Sequence, residues 1–187
     1  PNGGTMPSEV QTILSEITPK LTVPLGIHTH NDAGMGVANS IVAVELGAVQ
    51  VQGTINGYGE RCGNADLTTV VANLRLKMGY DCLQSDSLHR LTETSRFVYE
   101  LANMNLPANQ PFVGSGAFAH KGGMHVNAVQ KVAHSFEHIN PETIGNARRI
   151  LVSDLAGRSN IVMKAQEMGI RISNDAPELK DILARVK

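Results

Sequence analysis

Gly26-Ile27-His28-Thr29-His30-Asn31-Asp32 is the stretch from which the rest of this 187-residue chain is read. In an extended strand side chains alternate between faces, so His28 and His30 point the same way and their imidazoles converge. Two imidazoles on one face make half a metal site. The preceding run Thr22-Val23-Pro24-Leu25-Gly26-Ile27 reads as a buried strand, and Asn31-Asp32-Ala33-Gly34 as the loop that ends it. Both histidines therefore stand at the C-terminal end of a strand, the edge where sites gather in alternating β/α architectures. A bare H-x-H equally fits one histidine capping a turn beside another that packs, so the rest of the chain has to decide.

Upstream, apolar residues at Val10, Ile13, Leu14 and Ile17 recur with helical spacing, after Thr5 or Ser8 as a cap and Pro7 in the first turn. Downstream, a second helical pattern runs from about Gly36 to Leu46 and ends at Gly47. Val49 to Asn56 is the next strand, and the glycine-rich turn Gly57 to Asn64 leads into a third helix with Leu67, Val70, Val71, Leu74 and Leu76, closed by Gly79. Helix, strand, helix, strand, helix implies parallel strands joined by crossovers. Two strands alone leave bare sheet edges that invite pairing, so the sequence is expected to be part of a longer chain.

Aromatics make up 4% of the residues with no Trp, against 42% hydrophobic, so the core is aliphatic, as buried parallel strands covered by helices require. A formal net charge of -1, with no long run of one sign, argues against nucleic acid or an anionic membrane as principal partner. No stretch reads as a membrane span or a secretory signal, and Cys62 and Cys82 form neither a C-x-x-C site nor a disulfide framework. The expectation is a cytoplasmic protein with ordinary thiols.

Beyond Tyr80 the pattern changes, and a boundary is expected near Gly79. Ser87 to Met104 reads as one amphipathic helix, ended by Pro107 to Pro111. A Gly- and Ala-rich stretch from Val113 leads to His120-Lys121-Gly122-Gly123-Met124-His125, then a short helix over 126–132. Asn140 to Asn146 is turn-like, Arg149 to Val152 is a strand or a helix lead-in, and helices follow near Ser159–Met168 and Pro177–Val186.

Two further clusters carry chemistry. Gly59-Glu60-Arg61-Cys62-Gly63-Asn64 ends the second strand, on the rim of the histidines if the strands are adjacent and parallel. Asn64 offers a carbonyl oxygen to a divalent cation and Glu60 a carboxylate for proton transfer, while glycines 57, 59 and 63 permit close backbone approach. The same run also suits a solvated turn with Asn64 as helix N-cap. The histidines of the His120–His125 loop suit proton transfer near neutral pH, His125 in particular, although His89, His134 and His138 show that histidines are frequent here.

Taken together, His28-Thr29-His30-Asn31-Asp32 with Gly34 and Asn39, the Gly59–Asn64 run and the His120–His125 run resemble the acyltransferases that include 2-isopropylmalate, homocitrate and citramalate synthases. Ala119 to Val126 and Leu151 to Asn160 look most like the citramalate branch. The resemblance implies the C-terminal portion of a (β/α)8 TIM barrel, strands 7 and 8 with flanking helices, over residues 1–79. Small, mainly helical linker subdomains would follow over 80–133, carrying the His120–His125 loop, and over 134–187. It implies a divalent metal (Zn, Mn, Co or Mg) held by His28, His30, Asn64 and an aspartate upstream of residue 1. Glu60 falls on the family's acid/base glutamate and His125 on the histidine donated into the other subunit of a homodimer.

The implied reaction is a Claisen condensation of acetyl-CoA with a 2-oxo acid, most closely pyruvate to citramalate in branched-chain amino acid biosynthesis, the piece being inactive without its barrel. Two positions depart from the family: Phe136 stands where a tyrosine is usual, and Pro1 where a threonine touches the substrate carboxylate. The alternatives are a 2-isopropylmalate or homocitrate synthase, a related barrel lyase cleaving a 3-hydroxyacyl thioester or a 4-hydroxy-2-oxo acid, and a non-catalytic dimerisation piece.

Overall fold

The computed structural model describes residues 2–84, 87–121, 128, 132, 135–152 and 156–186. Helix α1 (Pro7–Ile17) places Pro7 in its first turn, where an N–H would have no helical partner. Its N-cap is Met6 rather than Thr5 or Ser8. A capping hydroxyl is replaced by Glu9, whose carboxylate accepts the Met6 N–H at 2.8 Å. Strand β1 (Leu25–His28) starts only after Pro24, which has no N–H to give to a ladder. Helix α2 (Gly36–Glu45) follows, and Gly47 at φ 100° turns the chain into strand β2 (Ala48–Gln52).

β1 and β2 are parallel, with Ile27 beside Val51 and His28 beside Gln52, as the alternation requires. β2 is shorter than expected because Gly53 and a 3₁₀ turn at Ile55–Gly57, with Asn56 at φ 63°, bend the backbone away from the sheet. Helix α3 (Leu67–Leu76) opens on Asp66, which accepts from the Thr68 N–H at 2.9 Å. Asp66, not Asn64, is thus the N-cap, and Asn64 is left for other work.

Two aliphatic clusters cement this βαβ arrangement. Val10, Leu14, Ala43 and Ala48 gather with Leu25 and Ile27, while Ala65, Val70 and Leu74 gather with Ile41, Val44 and Val51. The helix expected over Ser87–Met104 is a 3₁₀ turn at Leu88–Arg90 followed by α4 (Leu91–Leu101), closed where Asn103 turns to φ 53°. α4 is tied to the turn after β2 by Asn56 and Ser95, which exchange hydrogen bonds at 2.6 and 2.9 Å.

The chain divides into two compact units, residues 1–106 and 107–187, so α4 belongs with the first. In the second unit β3 (Ala119–His120) pairs in parallel with β4 (Arg149–Ile150), which settles the Arg149–Val152 stretch as strand at its start. A 3₁₀ turn at Pro141–Ile144 ends on Gly145 at φ 70°. Helices α5 (Arg158–Glu167) and α6 (Glu178–Val186) then pack Ile161 and Val162 against Leu179. A buried polar knot accompanies β3: Glu137 is 2% exposed and accepts from Arg148 at 2.6 Å twice, while His120 Nε2 lies 2.9 Å from the same carboxylate. Glycines 122 and 123, His125 and most of the helix expected over 126–132 lie outside the described residues, as does Pro1.

Candidate metal and acid/base site

The site grows from the end of β1. Thr29 points inward, donating its hydroxyl to the Gly36 carbonyl at 2.8 Å and lying 3.0 Å from Ser40 Oγ. Its neighbours must then face the opposite way, and they do. His28 Nε2 and His30 Nε2 stand 3.3 Å apart with their rings edge to face. His30 also bridges Asn64 across a short antiparallel contact between the two loops. The backbone fixes that contact: Asn31 N–H donates to Gly63 O at 2.8 Å, and Ala65 N–H to Thr29 O at 3.0 Å.

Asn64 is shaped by glycines on either side of it. A Cβ at Gly59 would stand 2.8 Å from the Asn64 amide, and one at Gly63, where φ is 90°, would meet the Gly57 carbonyl oxygen. Only glycine at both positions leaves the amide where it is. Asn64 Oδ1 is buried and has no hydrogen-bond partner among the described residues, and His30 Nδ1 is in the same condition. Unpaired buried acceptors are costly, by about 1–3 kcal/mol each, and call for an explanation.

For Asn64 Oδ1 a divalent cation shared with the two imidazole Nε2 atoms supplies one, while His30 Nδ1 is left without one. Nitrogens bonded to one cation at ~2.1 Å, at ligand angles between square and tetrahedral, lie about 3.0–3.4 Å apart. The observed 3.3 Å between the two Nε2 atoms falls inside that range. Imidazole with an amide oxygen is a donor set that accepts Zn, Mn, Co or Mg in different degrees. Among the described residues, no group of three or more His, Cys, Asp and Glu side chains gathers as a metal cage, so the fit rests on two histidines and an asparagine.

Glu60 and Arg61 sit on the rim. The Glu60 side chain is 86% exposed and 3.7 Å from Arg61 Nη1, so this structure does not bring it against the imidazoles. Arg61 adopts φ 57° and clasps Asp32 with two bonds, at 2.7 and 3.1 Å. The guanidinium hydrogen bond holds the Asp32 carboxyl below its usual range, against a smaller opposing effect of burial. Asn39, 3% exposed, donates to Thr5 O at 2.8 Å and anchors the segment ahead of α1. A cavity of about 200 Å³ opens there, lined by Gly3, Thr5, His28, His30 and Asn39 among others.

His28, His30 and Asn64 are therefore brought together, Glu60 stands apart from them, and His125 lies outside the described residues. The Arg61–Asp32 clasp was not singled out in the sequence, since a contact between residues 29 positions apart leaves no local signal. Phe136, expected to stand in place of a family tyrosine, is 50% exposed.

The sequence pattern of the family described as HMGL-like matches residues 2–98. The chain belongs to the HMGL-like family. A second pattern, described as a homocitrate synthase post-HMGL domain, matches residues 112–187. An (R)-citramalate synthase of Geobacter sulfurreducens is 53% identical over 186 residues, covering all of this chain and 35% of that protein. One from Aquifex aeolicus is 52% identical over 187 residues with the same coverage. A Methanopyrus kandleri protein named "Probable 2-isopropylmalate synthase" is 44% identical over 181 residues, covering 97% of this chain and 36% of that one. The HMGL-like chain thus spans about a third of the length of these curated relatives.

Proposed function

We propose that the full-length protein is an acyltransferase that condenses acetyl-CoA with pyruvate to give citramalate. One observation carries this reading: proteins described as (R)-citramalate synthase are identical to this chain at more than half of its aligned positions, over its whole length. The convergent His28, His30 and Asn64 agree with it, because the chemistry needs a fixed electrophilic centre beside the keto acid.

In this reading residues 1–79 form the last two β/α units of a (β/α)8 barrel, and 80–133 and 134–187 are linker subdomains. The parallel βαβ unit, the HMGL-like match and the greater length of the relatives support that placement. β1 and β2 would then present their C-terminal ends to a shared cavity, where barrel sites are built.

The reaction balances simply. The acetyl methyl gives up a proton, its carbon bonds to the keto carbon of pyruvate, the keto oxygen takes a proton, and water cleaves the thioester to release CoA. A divalent cation, when bound, supplies a Lewis acid for the ketone and its carboxylate. His28 and His30 present their Nε2 atoms from a strand whose reverse face is locked by Thr29, so their aim is preset before substrate arrives. Asn64, whose amide packs against the Gly59 backbone and whose backbone bridges His30, would present an oxygen beside them. Glu60 and His125 are the groups assigned to hold and move protons, His125 from the other subunit of a homodimer. Among the described residues no helix is long and apolar enough to cross a membrane, and a cytoplasmic enzyme without nucleic-acid or membrane partners is the matching proposal.

A second reading, 2-isopropylmalate synthesis, is favoured by the Methanopyrus relative. The test is acetyl-CoA consumption by the full-length protein with pyruvate, 2-oxoisovalerate or 2-oxoglutarate, with and without chelator. Chelator-sensitive turnover with a preference for pyruvate is expected. A preference for 2-oxoisovalerate would move the assignment to the second reading, and chelator-resistant turnover would remove the metal site.

A further inference from the structure

Arg61 is not used by the chemistry above, yet it is the side chain with the most specific geometry on this rim. It sits at φ 57°, a backbone conformation that costs an arginine about 1–2 kcal/mol. Its fork grips both oxygens of Asp32, through Nε at 2.7 Å and Nη2 at 3.1 Å. Asp32 belongs to the loop after His28 and His30, and Arg61 to the loop that carries Glu60 and Asn64. A third segment joins them: Ala33 N–H donates to Gly3 O at 3.0 Å, and Gly3, at φ 72°, leaves room that a Cβ would take from Asp32 Oδ2. Three loops that share no sequence neighbourhood are thereby closed on one another.

An exposed ion pair contributes little to stability, because water and salt screen it and long side chains lose freedom in making it. Both partners here retain solvent contact, with side chains 44% and 24% exposed. A bidentate fork, however, fixes orientation as well as distance, which lysine in the same place would not do. Strained backbone at position 61 and a glycine at position 3 cleared for Asp32 are features of a contact that fixes geometry.

We propose that Arg61 is a positioning residue: by clasping Asp32 it holds the Glu60–Asn64 loop against the His28–His30 loop, so that Asn64 Oδ1 and the two imidazoles form one donor set. This rests on the metal-site reading above. Arg61 acts through Asn64, not as a ligand itself. Loss of the fork leaves the histidine pair intact on β1, where Thr29 secures it, and frees the asparagine alone.

The test is Zn²⁺ and Mn²⁺ affinity of the full-length protein, measured by chelator competition, together with melting temperature. The forms compared are the parent, His28→Ala, Asn64→Ala, Arg61→Gln and Arg61→Gln with Asn64→Ala. Arg61→Gln is expected to weaken metal binding about 10–100-fold with little change in melting temperature. In the Asn64→Ala background it is expected to cost nothing more, since the residue it positions is already gone. Parent-like affinity in Arg61→Gln, beside a clear loss in His28→Ala, overturns the proposal alone. So does an undiminished cost in the Asn64→Ala background, or a raised KM for the 2-oxo acid with metal affinity intact, which would make Arg61 a substrate contact. Parent-like affinity in His28→Ala removes the metal-site reading and the proposal with it.

Discussion

At the scale of single residues the site depends on a buried side-chain oxygen that has no partner among the described residues. Asn64 Oδ1 is buried and unpaired, and a Cβ at Gly59 would stand 2.8 Å from its amide. Gly59→Ala is therefore expected to lower metal affinity about 10–100-fold, by pushing the amide aside, with a melting temperature near that of the parent. Chelator competition and a thermal melt on the same sample check both halves. Asp32 offers a pH prediction. The Arg61 hydrogen bond depresses its carboxyl, so its contribution is present above the ordinary carboxylate pKa of about 4 and is lost as pH falls through the depressed folded value. As pH is lowered through that range the parent is expected to lose the clasp's small share of thermal stability, a loss that Arg61→Gln, which has no clasp, does not show. Identical acid profiles in the two proteins would count against it.

At the scale of elements, α3 is placed by its cap. Asp66 accepts from the Thr68 N–H and hydroxyl at 2.9 and 2.7 Å, and its backbone meets Thr54 across a parallel bridge. Asp66→Ala is expected to cost about 1 kcal/mol, measured by denaturant unfolding. Leu74, on the buried face of the same helix, packs with Val70 and Ala65 against β2, and Leu74→Ala is expected to cost about 3 kcal/mol. The larger figure for the leucine reflects the rank of the two effects: packing against the sheet outweighs the end of the helix. Both changes leave the His28–His30 pair in place, because β1 is secured from the other cluster by Val10 and Leu14.

At the scale of the whole molecule, the second unit is specified by a buried charge. Glu137 is held below the usual carboxylate range chiefly by its hydrogen bonds from Arg148, with His120 adding to it and burial opposing. A depressed carboxylate stabilises the fold at pH above its unfolded value and ceases to do so as pH falls through its folded one. Residues 107–187 are thus expected to loosen first as pH is lowered below about 4, and Glu137→Gln to flatten that dependence. Glu137→Ala leaves Arg148 and His120 facing an empty place and is expected to cost about 3 kcal/mol. Hydrogen exchange across a pH series, resolved by unit, separates this from acid unfolding of the chain as a whole.

The sequence by itself determined the periodic features. The alternation that sets His28 and His30 on one face, the helical stripes of α2 and α3, and the break at Gly47 are local, since each depends on residues within a turn or a strand of one another. So is the convergence of the imidazoles, which strand geometry requires once the run is extended. What only the tertiary structure decided is nonlocal or energetic in origin. Helix α3 starts on Asp66 because Thr54 meets it across a bridge, and that released Asn64 from the capping role its residue type also allowed. α4 lies in the same compact unit as the strands, tied to the turn after β2 by Asn56 and Ser95 across 39 residues, a contact no local pattern announces. The Arg61–Asp32 clasp and the Glu137 knot likewise join residues far apart in sequence, and no spacing rule encodes them. Secondary structure follows from backbone sterics and side-chain period, which act over a few residues. Which polar groups find one another across the fold is settled by packing, where burial makes each unmade hydrogen bond costly.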